Sequence, residues 1–163
     1  MKSACVALGL FVALLALPGC GPQESAPPPV PEKSKAELQR ADFFGADVAA
    51  DPAVTWRSSG LGVKVIAAGT GPVPKVTDRV RINYTGRLKD GTVFDDSRAT
   101  GKPADFALNQ MISGLAAGLS SVPAGSHAVF YIPPSLGYGS MRAGKIPPVS
   151  GLIFDVELLA VNP

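Results

Sequence analysis

The chain has 163 residues, enough for one ordinary domain with additional segments. Its formal net charge is +2 and it has no run of lysine and arginine, which argues against a nucleic-acid-binding protein. Both cysteines, Cys5 and Cys20, lie close to the start, so a disulfide framework or a CxxC metal site is excluded for the body of the chain.

Residues 1–19 have the pattern of a secretory signal peptide. The apolar stretch from Ala4 to Leu17 is shorter than the about 20 residues that a membrane-spanning helix needs. The segment Leu17-Pro18-Gly19-Cys20 resembles a bacterial lipobox, with Pro18 in place of the usual small or aliphatic residue. This resemblance implies lipidation of Cys20 and a lipid-anchored protein of the cell envelope, on the outer membrane and facing the periplasm. The alternative is an ordinary signal peptide with an incidental cysteine.

Residues 20–35 are interpreted as a proline-rich tether, because closely spaced prolines favour an extended, semi-rigid spacer. Residues 36–55 are interpreted as a partly ordered extension. Leu38, Ala41 and Phe44 follow a helical spacing there, which is compatible either with a short docking or dimerisation helix or with partly ordered chain. Since such a helix is short for a dimerisation region, we expect a monomer.

Residues 56–163 have the pattern of a folded domain with short strands. Val80, Ile82 and Tyr84 alternate with polar residues, which is typical of a strand with one buried face. Similar alternation marks residues 128–132 and 152–158, and Asp90-Gly91 predicts a hairpin turn. One short helix has room at residues 112–122, although its two glycines weaken it, so packing must stabilise it. This pattern predicts an α+β domain.

Four ordered blocks then resemble the signature of FKBP-type isomerases. They are YTGRL at residues 84–88, DGTVFD at 90–95, GYG at 137–139, and IPP at 146–148 with LIFDVEL at 152–158. The resemblance covers roughly residues 72 to 161. It implies a twisted antiparallel sheet of five to six strands wrapped around one short helix, peptidyl-prolyl cis-trans isomerase activity, and no cofactor.

The same resemblance implies a pocket that binds the proline ring. It assigns catalytic roles to six residues: Tyr84, Phe94, Asp95, Ile112, Tyr138 and Phe154. It assigns substrate contacts to four more: Met111, Leu115, Ile146 and Phe106. Leu115 replaces the tryptophan that is usual at the pocket base, and Ala104 replaces a frequent phenylalanine.

These residue types suit the chemistry, because prolyl isomerisation breaks no covalent bond. The barrier of about 18–20 kcal/mol is the partial double bond of the amide. An aromatic pocket that removes water favours the twisted transition state, and no general base is required. Asp95 and Asp96 are expected to point to opposite faces of a strand and not to form a catalytic pair. The single histidine, His127, has no nearby partner for a metal site, and no metal is expected.

Three functions compete. The first is an isomerase that acts on X–Pro bonds of exported proteins. The second is a weakly active or inactive module, or chaperone, that holds proline-containing segments, and Leu115 and Ala104 favour it. The third is a surface adhesin. Expected partners are proline-containing polypeptides, macrolides such as tacrolimus or rapamycin, and a membrane reached through the lipid anchor.

Overall fold

The computed structural model describes residues 34–163. The predicted signal peptide, Cys20 and nearly all of the predicted tether lie outside the described residues. The helices are α1 (Lys35–Phe44), α2 (Ala46–Ala49) and α3 (Ser113–Leu119). The strands are β1 (Thr55–Trp56), β2 (Gly62–Ala67), β3 (Arg79–Arg87), β4 (Val93–Asp96), β5 (Ala104–Ala107), β6 (His127–Ile132) and β7 (Leu152–Val161).

The strands form one antiparallel sheet in the order β1-β2-β6-β7-β3-β4, with β5 also paired to β3. Strand β4 pairs with residues 85–87 of β3, and β5 pairs with residues 79–82. Both strands therefore occupy the same edge of β3, as one edge strand with an interruption. The predicted α+β fold, with one antiparallel sheet and one short helix against it, is confirmed, and this interruption brings the number of strands to seven.

Helix α3 lies on the inner face of the sheet, where the main core is. Val80, Ile82 and Phe130 are fully buried there. A Cβ atom at Gly114 would lie 2.3 Å from Ile132 Cγ2, and one at Gly118 would lie 2.6 Å from Phe130 Cδ1. The two glycines therefore let α3 approach the sheet closely, and this contact is the packing that compensates their low helix propensity.

A second apolar cluster covers part of the outer face of the sheet. Phe44 at the end of α1 is 4% exposed and packs against Tyr131, with ring centroids 5.7 Å apart. Trp56 lies 5.8 Å from Phe44, and the Arg40 guanidinium stacks 4.6 Å above its ring. A capping box between Ser34 and Glu37 closes the start of α1.

The sequence pattern predicts a boundary between residues 36–55 and a domain that begins at residue 56. In the structure, α1 and α2 lie in this segment, and Phe44 shares the second cluster with Val129, Tyr131 and Ile153 of the sheet. The one-sided alternation expected for residues 128–132 is not found, because Val129 and Tyr131 are buried as well and both faces of β6 are covered. We therefore treat residues 34–163 as the packed unit.

Candidate active site

A cavity of about 300 Å³ opens beside α3. Its lining residues are Ile82, Tyr84, Asp95, Phe106, Gln110, Met111, Ile112, Leu115, Tyr138 and Phe154. All ten residues predicted for the proline pocket are among them except Phe94 and Ile146. Ile82 and Gln110 are additions that sequence reasoning missed. The alternation of β3 places Ile82 on the same face as Tyr84, and this pattern could have predicted Ile82 as a lining residue. No sequence pattern indicates the exposed Gln110.

The aromatic walls come from three strands that meet side by side. In the antiparallel pairing of β3 and β7, Tyr84 faces Val156 and Gly86 faces Phe154. This register places the rings of Tyr84 and Phe154 on one face, 6.2 Å apart. Phe106 of β5 adds an edge-to-face contact with Tyr84 at 5.9 Å. Both distances lie in the range for favourable aromatic pairs, so the walls support each other.

Phe94 supports the wall and does not line the cavity. Its ring meets Phe154 edge to face, with centroids 5.5 Å apart. Room for that contact comes from Gly86, where a Cβ atom would lie 2.5 Å from Phe94 Cε2 and 3.1 Å from Phe154 Cε1. Gly86 was part of the recognised signature, but sequence reasoning gave it no role.

Ile146, predicted as an apolar lip of the pocket, is 4% exposed and belongs to the main core. Its backbone exchanges two hydrogen bonds with Ala143, of 3.1 and 2.9 Å. This tight turn directs the side chain inward, and Met111 remains as the predicted lip that lines the cavity.

A hydrogen bond between two strands sets the polar rim of the cavity. The Tyr84 hydroxyl donates to Asp95 Oδ2 at 2.7 Å. Burial, and secondarily this hydrogen bond, raise the pKa of the Tyr84 phenol well above its ordinary value, so it remains a protonated donor. Asp96 lies on the other face and accepts from Thr85 Oγ1 at 3.1 Å. The two neighbouring carboxylates thus have separate surroundings.

Two further donors at the cavity have no hydrogen-bond partner in the described part of the chain. Ile112 occupies the N-cap position of α3, and its carbonyl accepts from the Leu115 and Ala116 amides at 3.0 and 3.1 Å. The Ile112 N–H itself donates no hydrogen bond within residues 34–163. The Tyr138 hydroxyl likewise makes no hydrogen bond within that range. Both groups are available to the carbonyl oxygens of a bound peptide.

In the described part of the chain, no three His, Cys, Asp or Glu side chains come together in a way that could hold a metal ion. His127 contacts Asp155 instead, with Nε2 3.0 Å from Oδ1. The helices of residues 34–163 are also all too short or too polar to cross a membrane.

Comparison with known proteins agrees with this geometry. The family model described as FKBP-type peptidyl-prolyl cis-trans isomerase matches residues 71–159. A probable FKBP-type isomerase of Haemophilus influenzae is 46% identical over 131 residues, covering 80% of this chain and 54% of that protein. The outer membrane protein MIP of Legionella longbeachae is 39% identical over 132 residues, covering 80% and 57%.

Among solved structures, FkpA from Escherichia coli superposes with a TM-score of 0.71 at 40% identity, covering 79% of this chain and 58% of that one. The chain spans about half the length of the curated relatives it matches. The residues that the family model matches include every residue that lines the cavity, strands β3 to β6 and most of β7. The chain belongs to the FKBP-type peptidyl-prolyl cis-trans isomerase family.

Proposed function

We propose that this protein catalyses cis–trans isomerisation of X–Pro peptide bonds. The observation that carries the proposal is one cavity that combines apolar aromatic walls with two donors, the Ile112 N–H and the Tyr138 hydroxyl, that have no partner among the described residues. Such a cavity suits a proline ring with a peptide carbonyl on each side. Its volume of about 300 Å³ is at the lower end of the range for small-ligand sites.

Catalysis follows from differential binding of the twisted amide. Phe154, Tyr84 and Ile112 enclose the pyrrolidine ring and exclude water from the X–Pro bond. In the transition state the amide loses resonance and its carbonyl carries less charge, so the apolar cavity disfavours the planar ground state more strongly. The Ile112 N–H and the Tyr138 hydroxyl hold the neighbouring carbonyls, and Asp95 orients the Tyr84 ring through its hydrogen bond.

The base of the cavity favours a second candidate, a weakly active or inactive module that holds proline-containing segments. Leu115 is 5% exposed and closes the cavity from below with an aliphatic side chain. An aromatic ring at that position would add a stacking contact of about 0.5–1.5 kcal/mol beyond its buried area. Binding of the proline ring is correspondingly weaker, for substrate and for macrolides such as tacrolimus or rapamycin alike.

A protease-coupled assay on an Xaa-Pro tetrapeptide tests the proposal. We expect the intact protein to accelerate isomerisation, and Phe154→Ala to reduce kcat/KM by about tenfold or more, because a full wall of the cavity is lost. Arg81→Met is the matched control, since Arg81 pairs with Asp105 on the exposed side of β3. No acceleration at micromolar protein would favour the binding module, and an unchanged rate in Phe154→Ala would exclude this cavity as the catalytic site.

The proposed setting is the bacterial cell envelope. The relative named outer membrane protein MIP and the lipobox-like segment ending at Cys20 support a lipid-anchored domain that faces the periplasm and acts on exported proteins. Palmitate labelling of intact cells tests the anchor. Label that persists in Cys20→Ala would contradict lipidation at that residue.

A further inference from the structure

Each of three cavity residues is followed in the sequence by a polar residue. The pairs are Tyr84-Thr85 on β3, Asp95-Asp96 on β4, and Phe154-Asp155 on β7. Because successive residues of a strand point to opposite faces, the three polar side chains lie directly behind the cavity, on the outer face of the sheet.

Arg98 connects these three polar residues. Its guanidinium donates to Thr85 Oγ1 at 3.0 Å and to Asp155 Oδ1 at 3.2 Å, and it also lies 3.2 Å from Glu157 Oε1. Its backbone N–H donates to Asp96 Oδ1 at 2.9 Å. One arginine, placed just after β4, thus spans β3 and reaches β7. We call Arg98, Thr85, Asp96, Asp155 and Glu157 the outer-face network.

Backbone pairing by itself holds strand β4, which carries Asp95, only weakly. It has four residues, lies at an edge of the sheet, and pairs with β3 across a register shift between Gly86 and Arg87. The buried Ser97 ties its end to Tyr84, with Ser97 Oγ accepting from the Tyr84 amide at 2.8 Å. The side chains of the outer-face network supply the further contacts that join β4 to the two strands behind the aromatic walls.

We propose that Arg98 is a positioning residue for the cavity, acting through the outer-face network to fix β4 and hence the Asp95 carboxylate against the Tyr84 hydroxyl. The inference rests on the proposed function and deepens it. Arg98 reaches no cavity-lining side chain, so its effect on isomerisation passes through Asp95. Its side chain is 35% exposed, and ion pairs at that exposure contribute little to global stability.

The first test compares Arg98→Met, Arg98→Lys and the control Arg81→Met in the intact protein. We expect Arg98→Met to lower kcat/KM by about fivefold, Arg98→Lys to recover part of the loss, and Arg81→Met to leave it unchanged. Thermal unfolding should shift little in either variant, because the ion pairs of Arg81 with Asp105 and of Arg98 with Asp155 and Glu157 all join partly exposed side chains.

A double-mutant cycle separates positioning from a general structural effect. If Arg98 acts through Asp95, then Arg98→Met has no further effect on kcat/KM in an Asp95→Ala background. An equal loss in both backgrounds would overturn the proposal, as would unchanged activity of Arg98→Met. Should Arg98→Met fail to fold, Thr85→Val removes one member of the outer-face network and takes its place in the cycle.

An NMR measurement reports on the same geometry without any activity. The Tyr84 hydroxyl proton and the Asp95 carboxyl carbon should both shift in Arg98→Met and stay in place in Arg81→Met. If the wild-type protein is inactive as an isomerase, the proposed function fails, and these two signals alone decide the inference. Unshifted signals in Arg98→Met would refute the positioning role.

Discussion

Gly86 is the residue whose replacement most directly tests the described aromatic wall. It lies on β3 opposite Phe154, and its missing side chain leaves the space that the Phe94 ring fills. In Gly86→Ala the added Cβ would lie 2.5 and 2.7 Å from Phe94 carbons and 3.1 Å from Phe154 Cε1. Contacts this short do not persist between real atoms, so the Phe94 ring must move.

The cost follows from two contributions. Overpacking of a well-packed site costs about 1–3 kcal/mol, and Phe94 is half-buried, so its ring has room to move and the lower part of that range applies. Displacing the ring also loses its edge-to-face contact with Phe154, worth about 0.5–1.5 kcal/mol. We expect Gly86→Ala to lower the free energy of unfolding by about 2 kcal/mol and Tm by about 6–12 °C. We expect the proposed isomerase activity to fall as well, because Phe154 loses its support.

Calorimetry and the peptide assay on Gly86→Ala, with Gly86→Ala/Phe94→Leu as the matched control, check this expectation. The smaller leucine makes room for the new methyl group, so the double variant should be more stable than Gly86→Ala. A Gly86→Ala protein with the Tm and kcat/KM of the wild type would show that Phe94 does not support the wall as described. Equal stability of the single and double variants would refute the steric argument.

Two more predictions concern the outer face and alkaline pH. Phe44→Ala should lower the free energy of unfolding by about 3–5 kcal/mol in denaturant titration, whereas Phe43→Ala, at a half-buried position, should lower it clearly less. Equal losses of stability in the two variants would refute the packing of α1 against the sheet. Burial raises the pKa of Tyr84 and of Tyr131 above the ordinary 10.0, so stability is complete below that pH and falls above it. Urea titrations between about pH 9 and pH 11, on either side of the ordinary tyrosine pKa, measure this decline. Tyr84→Phe and Tyr131→Phe should each make the decline shallower by up to about 1.4 kcal/mol per pH unit. If the free energy of unfolding falls with pH as steeply in these variants as in the wild type, the assigned burial is contradicted.

The sequence was sufficient to predict the sheet and most of the cavity, because strand alternation fixes which residues share a face. Val80, Ile82 and Tyr84 are all buried, as their spacing predicts. Once Tyr84 and Phe154 are assigned to the cavity, the antiparallel pairing of β3 and β7 brings them together. The order of the four signature blocks along the chain was therefore enough to predict that Tyr84 and Phe154 line one cavity.

Phe94 and Ile146 show where such reasoning stops. Alternation tells which face a side chain leaves from, but the direction in which a ring then turns depends on its neighbours. Phe94 turns into the space above Gly86, and Ile146 turns inward because its turn closes on Ala143. The first outcome depends on a close contact between neighbouring strands and the second on a turn outside the sheet, and a residue pattern encodes neither.

The outer face of β7 explains why α1 and the outer-face network both exist. Leu152, Phe154, Val156 and Leu158 face the core, so Ile153, Asp155 and Glu157 form the opposite side of the strand. That side is apolar at Ile153, where Phe44 shares its cluster, and charged at Asp155 and Glu157, where Arg98 binds. The change from apolar to charged marks where helical cover ends and the outer-face network begins. The same sheet therefore needs both elements, because Ile153 requires an apolar cover while Asp155 and Glu157 require a cation within reach.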